Sequence, residues 1–132
     1  MRVVGCFLEF DGRFVVLYRR SHKPEGCTWA LPGGKVEAEE TDEQAIIREL
    51  SEETGYEAAA QEPKLLGEFS FETSEKLRYQ YVVFSIKLKN PHQVKLEESA
   101  HSDYMWLTPE ECYARTDLIR DLHNLLKLVG YK

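Results

Sequence analysis

A chain of 132 residues with 42% hydrophobic residues is long enough for one domain with an ordinary core. We therefore expect a single domain over residues 1–132. The chain has 17 Lys and Arg against 23 Asp and Glu, and its net charge of -6 argues against a surface that binds long nucleic acid through its phosphates.

The cysteines and the apolar runs indicate where the protein resides. Cys6, Cys27 and Cys112 are odd in number and widely scattered, which predicts reduced thiols rather than a disulfide framework or a zinc site. No apolar run reaches the roughly 18 residues that a membrane span needs, and the N-terminus lacks the layout of a signal peptide. We expect a cytoplasmic protein that does not bind membranes.

The first predicted elements are two antiparallel strands, residues 2–9 and 13–18, which are rich in Val, Phe and Leu. They are joined by an Asp-Gly dipeptide, which favours a tight hairpin turn. A loop over residues 21–26 and a short apolar segment with a glycine-rich turn over residues 28–34 follow. This turn leads into an acidic segment.

The acidic segment predicts an α-helix. Thr41 followed three residues later by Gln44 has the form of a capping box, so the helix should begin near residue 42. Apolar side chains at intervals give the helix a packing face. Gly55 is suited to end it in a left-handed conformation.

Three carboxylates of this helix indicate a metal site. Glu49, Glu52 and Glu53 are spaced i, i+3 and i+4, which places them on one side of the helix. Clustered anions repel each other unless a cation lies between them. Mg²⁺ binds oxygen ligands, and substrate phosphates usually complete its coordination shell. The spacing therefore predicts a metal-binding helix and a phosphorylated substrate, and the alternative is a solvated acidic face.

The second half of the chain predicts two further strands, residues 65–73 and 79–88, where apolar and aromatic residues alternate or run together. A polar, mobile connection is expected over residues 90–102, and a short strand over residues 104–107. A second helix start follows at Thr108, with proline at the first helical position.

The chain is predicted to close with a helix. Its apolar positions follow the 3.6-residue period from Leu118 to Val129, and Gly130 ends it.

Residues 34–56 resemble the signature of the Nudix hydrolase family, G-x5-E-x7-R-E-U-x-E-E-x-G-U, where U is aliphatic. The residues that match are Gly34, Glu40, Arg48, Glu49, Leu50, Glu52, Glu53 and Gly55. Tyr56 departs from the last aliphatic position, which is a packing site rather than a chemical one. The resemblance implies an α/β fold, an α+β sandwich in which a mixed curved sheet is flanked by the motif helix and a C-terminal helix.

The resemblance also implies a reaction, the hydrolysis of a nucleoside diphosphate linked to a further group, with Mg²⁺ or Mn²⁺ holding the pyrophosphate. Glu52, Glu53 and the backbone carbonyl of Gly33 would bind the metal. Glu49 would act as the base or as a further ligand. Arg48 would orient the carboxylates, and the resemblance places Glu40 where it could bind a second metal ion.

Residues outside the motif are candidates for substrate binding. Arg19 and Arg20 resemble a basic pair that some family members point at the substrate, with Arg20 preferred, and a surface role is the alternative. Asp117, at the start of the predicted final helix, lies roughly where MutT-like relatives read the base. A carboxylate that simply favours the helix dipole is the other interpretation.

Family members often carry a further glutamate in the loop six residues before the tryptophan of the last strand. Counting back from Trp106 gives Ala100, so Glu98, beside Glu97, is the substitute candidate for an extra ligand or base. The four histidines show no ligand spacing and are predicted to be surface or loop residues: His22, His92, His101 and His123.

The favoured function is a MutT-like pyrophosphohydrolase that converts a nucleoside triphosphate to the monophosphate and pyrophosphate. The alternatives are a hydrolase of ADP-ribose, other nucleotide sugars or dinucleoside polyphosphates, and a non-catalytic nucleotide-sensing domain. The protein is expected to be a monomer or a homodimer.

Overall fold

The computed structural model describes residues 1–73 and 75–131. These residues form one mixed sheet and three helices. The strands are β1 (Arg2–Phe10), β2 (Arg13–Arg19), β3 (Trp29–Ala30), β4 (Gly33–Lys35), β5 (Lys64–Glu72), β6 (Arg78–Lys87) and β7 (His101–Leu107). The helices are α1 (Asp42–Thr54), α2 (Pro109–Tyr113) and α3 (Leu122–Leu128).

The sheet has the order β3-β2-β1-β6-β5, with β4 paired to β1 and β7 paired to β2. The predicted hairpin is confirmed, because β1 and β2 are antiparallel and the two turn residues, Asp11 and Gly12, both have positive φ. Along most of its length β1 instead runs parallel to β6. The strand from the middle of the chain therefore lies beside the first one.

Both faces of the sheet are covered. On one face, Ala45, Ile46 and Leu50 of α1 pack in a buried cluster with apolar residues of β1, β2 and β6. On the other face, α3 contributes Leu125 and Leu126 to a second cluster. The predicted sandwich of a mixed sheet between the motif helix and a C-terminal helix is confirmed.

The boundaries of α1 agree with the capping signals. The Gln44 N–H donates to the Thr41 hydroxyl at 3.1 Å, and the Thr41 N–H donates to the Gln44 side chain at 2.9 Å. Gly55, with φ of 74°, donates its N–H to the Ser51 carbonyl and ends the helix. The motif helix thus begins and ends where local side chains dictate.

The predicted closing helix is too long. Residues 114–121 are not helical, and α3 begins only at Leu122, after Asp121 adopts a left-handed backbone with φ of 69°. The backbone on either side of Leu118 pairs with β3 instead, because the Trp29 N–H donates to the Asp117 carbonyl and the Ile119 N–H donates to the Trp29 carbonyl. Asp117 therefore does not lie at a helix start, and its interpretation through the helix dipole is wrong.

The strands β5 and β6 each begin one residue before the predicted position, and β7 begins three residues early, at His101. The connection between β6 and β7 was predicted to be mobile, but Val94 and Ala100 are buried and the Lys95 N–H donates to the Thr54 carbonyl. This segment is held against the end of α1.

Within residues 1–73 and 75–131, no helix is both long enough and apolar enough to cross a membrane.

Candidate active site

Gly33 and Gly34, which begin β4 and which we call the glycine loop, come close to the rest of the site. Gly33 in β4 pairs with Gly5 of β1, and a side chain at Gly33 would collide with the Val4 carbonyl. A Cβ at Gly34 would lie 2.5 Å from the Glu49 carboxylate. Because glycine has no side chain, the glycine loop can contact both β1 and the acidic face of α1.

Glu53 is the most deeply buried of the three motif carboxylates. Its side chain accepts a hydrogen bond from the Gly33 N–H at 2.7 Å, and the residue is only 6% exposed. Burial, together with the nearby charges of Glu49 and Glu97, raises the pKa of Glu53 to about 8, against the opposing effects of the Gly33 hydrogen bond and the Lys23 cation. A cation at this carboxylate would relieve an unfavourable buried charge.

Glu49 is the second buried carboxylate. Arg48 donates a hydrogen bond to it at 2.8 Å. Burial raises the pKa of Glu49, although the Arg48 interaction opposes this. Glu52 differs from both, because its side chain is 49% exposed and lies 3.6 Å from the Arg48 guanidinium.

Arg48 connects the carboxylates. It donates two hydrogen bonds to Glu40, one to each oxygen, at 2.8 and 3.0 Å. The Arg48 hydrogen bonds lower the pKa of Glu40 to about 2. Both oxygens of Glu40 are therefore engaged by Arg48, whereas the predicted second metal site would need at least one of them.

The donor set fits a hard divalent cation. In the part of the chain that the structure describes, no three His, Cys, Asp or Glu side chains converge on a preformed metal site. Glu49 and Glu53 nevertheless lie side by side against the glycine loop, and burial raises the pKa of both. Paired carboxylates of this kind suit a cation that takes oxygen ligands.

The segment before β7 brings a carboxylate near this pair, but it is Glu97. The negative charge of Glu97 raises the pKa of both Glu49 and Glu53. Glu98, the predicted residue, contributes its backbone carbonyl, which accepts a hydrogen bond from the Arg20 side chain. The sequence contained both glutamates, and only the course of the backbone distinguishes them.

His101 is buried in the site, so its prediction as a surface or loop residue is wrong. It is 1% exposed, and its Nδ1 lies 3.9 Å from Oε2 of Glu53. Burial, together with the cationic Lys23 and Arg19, lowers the pKa of His101 to about 4. Lys23 is a further residue that the sequence pattern missed, since it belongs to the loop between β2 and β3.

A cavity of about 260 Å³ opens beside the glycine loop. Its lining includes Gly33, Gly34, Arg19, Tyr81 and Arg120. Two arginines are among the lining residues, and Gly33 and Gly34, which contact Glu53 and Glu49, place the space close to this carboxylate pair. It is therefore suited to an anionic molecule with a flat group.

The positions of the predicted substrate residues differ from expectation. Arg19 lines the cavity, whereas the Arg20 side chain donates a hydrogen bond to the Glu98 carbonyl. Asp117 accepts two hydrogen bonds from Arg115 at 2.9 and 2.8 Å. The same C-terminal segment supplies Arg120 to the cavity instead.

Known proteins resemble this chain along most of its length. It is 28% identical over 111 residues to the CTP pyrophosphohydrolase of Escherichia coli strain K12, which covers 84% of this chain and 78% of that protein. It is 32% identical over 113 residues to a MutT-like protein of Streptomyces ambofaciens, covering 86% of this chain and 66% of that protein.

Solved structures and family profiles agree. The crystal structure of the MutT protein from Methanosarcina mazei Go1 superimposes with a TM-score of 0.85 at 25% identity, covering 98% of this chain and 91% of that one. The profile of the NUDIX domain matches residues 1–129. The chain therefore belongs to the NUDIX domain family.

Proposed function

We propose that this Nudix hydrolase cleaves a nucleoside triphosphate to the nucleoside monophosphate and pyrophosphate in a reaction that depends on Mg²⁺ or Mn²⁺. The observation that carries the proposal is the pair of buried carboxylates, Glu49 and Glu53, close to a cavity whose lining includes two arginines. The similarity to a CTP pyrophosphohydrolase supports the same class of reaction.

The proposed roles follow the surroundings of each residue. Glu53, Glu52 and the Gly33 carbonyl would hold the cation, with Glu49 as a further ligand or as the base. When bound, the cation would neutralise phosphate charge and make the phosphorus more electrophilic. Arg48 would keep Glu49 oriented through the hydrogen bond at 2.8 Å.

The reaction itself is a displacement at phosphorus. Water attacks the α-phosphorus of the nucleoside triphosphate, the phosphoanhydride bond between the α- and β-phosphates breaks, and pyrophosphate leaves with the bonding electrons. In the base role, Glu49 accepts the proton that the water loses, and its raised pKa makes its conjugate acid weaker than that of an ordinary glutamate. Arg19 and Arg120 would balance the charge of the nucleotide at the cavity.

Two further proposals concern the state of the protein. We propose a cytoplasmic location, which is supported by the three free cysteines, two of them buried. We also propose a monomer or a homodimer. Size-exclusion chromatography with light scattering would measure the molar mass and decide between them.

A panel assay tests the proposed reaction. The protein is incubated with Mg²⁺ or Mn²⁺ and with nucleoside triphosphates, ADP-ribose, nucleotide sugars or dinucleoside polyphosphates. Phosphate release is followed with and without inorganic pyrophosphatase, and nucleoside monophosphates are measured by chromatography. Phosphate that forms from a triphosphate only when pyrophosphatase is present would support the proposal. AMP from ADP-ribose would favour the alternative hydrolase, and no product from any substrate would favour a nucleotide sensor.

A further inference from the structure

A buried histidine stands beside the candidate metal ligand Glu53. Nδ1 of His101 lies 3.9 Å from Oε2 of Glu53, and across residues 1–73 and 75–131 this nitrogen has no hydrogen-bond partner. Buried polar atoms without partners are rare in folded proteins, and each one calls for an explanation. The proposed reaction, as described so far, gives His101 no role.

The two oxygens of Glu53 have different surroundings. Oε1 accepts the Gly33 N–H at 2.7 Å, and Oε2 faces the His101 ring. A neutral imidazole carries one N–H, which can sit on Nδ1 and donate to an ionised carboxylate.

The backbone holds His101 in this place. His101 is the first residue of β7 and pairs with Arg19 at the end of β2. Its own N–H donates to the Glu97 carbonyl at 3.1 Å. The backbone of His101 is thus held from two directions, and a small movement of either side chain would bring Nδ1 and Oε2 within hydrogen-bond distance.

We infer that His101 is a positioning residue whose Nδ1–H donates to Oε2 of Glu53 and fixes the plane of that carboxylate for cation binding. The Gly33 N–H fixes the other oxygen, and each oxygen keeps a second lone pair for the cation. The inference rests on the proposed function, because that proposal assigns Glu53 to the metal. It extends the site to a residue outside the family signature.

Three substitutions in the full-length protein separate this role from simple core packing. In His101→Asn the amide nitrogen replaces Nδ1 in position. In His101→Gln the amide reaches the position of Nε2 instead, and His101→Leu retains bulk without a donor. His123→Leu is the matched control, because its ring contacts the Cys112 carbonyl on the other face of the sheet.

The measurement is the dissociation constant of Mn²⁺ without nucleotide, from the electron paramagnetic resonance signal of free Mn²⁺, with melting temperatures in EDTA to verify folding. Loss of a residue that orients a metal ligand typically weakens metal binding about 10- to 100-fold, so we expect that loss in His101→Leu and His101→Gln. We expect His101→Asn to stay within about 3-fold of the wild type, because it restores the donor. His123→Leu should bind Mn²⁺ as the wild type does.

Wild-type affinity in folded His101→Leu would overturn the positioning role while leaving the proposed function intact. Equal losses in the Asn and Gln variants would also overturn it, and this comparison decides the matter if His101→Leu does not fold. Failure of the wild-type protein to bind Mn²⁺ would overturn the proposed function and, with it, this role.

Discussion

Replacing Glu53 with glutamine should stabilise the metal-free protein near neutral pH. The pKa of Glu53 is raised from its usual 4.5 to about 8 in the folded protein, with burial as the main cause. The unfolded chain binds fewer protons than the folded protein between these two values. The free energy of unfolding of the wild type therefore falls as the pH rises from about 4.5 to about 8.

The size of the effect follows from the same shift. A pH of 7 is about 2.5 units above the pKa of this carboxyl in the unfolded chain. At about 1.4 kcal/mol per unit, the raised pKa lowers the free energy of unfolding of the wild type at pH 7 by about 3 kcal/mol. Glutamine carries no charge and can still accept the Gly33 N–H. Since the protein can relax around a charged Glu53, we expect a gain in the range of about 1–3 kcal/mol.

Urea unfolding in EDTA at pH 5 and pH 7 measures this effect. Glu52→Gln is the matched control, because it makes the same chemical change in the same helix on a side chain that is 49% exposed, and it should change stability by no more than about 0.5 kcal/mol. The advantage of Glu53→Gln over the wild type should be larger at pH 7 than at pH 5. A Glu53→Gln protein that is less stable than Glu52→Gln at pH 7 would refute the reasoning.

Three further predictions concern activity. Glu53→Gln should lower turnover by a factor of about 10² or more while the circular dichroism spectrum is retained, and a normal turnover would remove Glu53 from the site. Gly34→Ala should lower kcat at least about 10-fold, because the Cβ of the alanine would lie 2.5 Å from the Glu49 carboxylate. An unchanged kcat would show that the glycine loop can shift to accommodate a side chain. Arg19→Ala should raise KM more than Arg20→Ala, since Arg19 lines the cavity. The reverse order would support Arg20 as the arginine that binds the substrate.

Local signals explain what the sequence could predict. The capping box of Thr41 and Gln44 and the left-handed Gly55 act on adjacent backbone groups, so the motif helix could be placed to within a residue. The spacing of Glu49 and Glu53 on that helix then brings them together without reference to any other element. These predictions agree with the structure because the interactions that decide them lie within the motif helix and its caps.

Long-range pairing explains the errors. The apolar period continues through Leu118, but its neighbours bond to Trp29, which lies almost ninety positions earlier, so no local pattern could end the helix there. The register of β2 against β7 shifts between Tyr18 and Arg19, and this breaks the alternation that would tell which arginine faces the cavity. His101 is buried by that same pairing.

The bonds between Trp29 and the segment 117–119 bear on how the site forms during protein synthesis. Trp29, which precedes the glycine loop, lacks these bonds until residue 119 has left the ribosome. Bringing together two segments so far apart in the chain carries an entropic cost of loop closure. Peptides that stop before this point should lack an ordered glycine loop beside the motif segment. Catalytic competence would then arise in one late step, rather than grow with the length of the nascent chain.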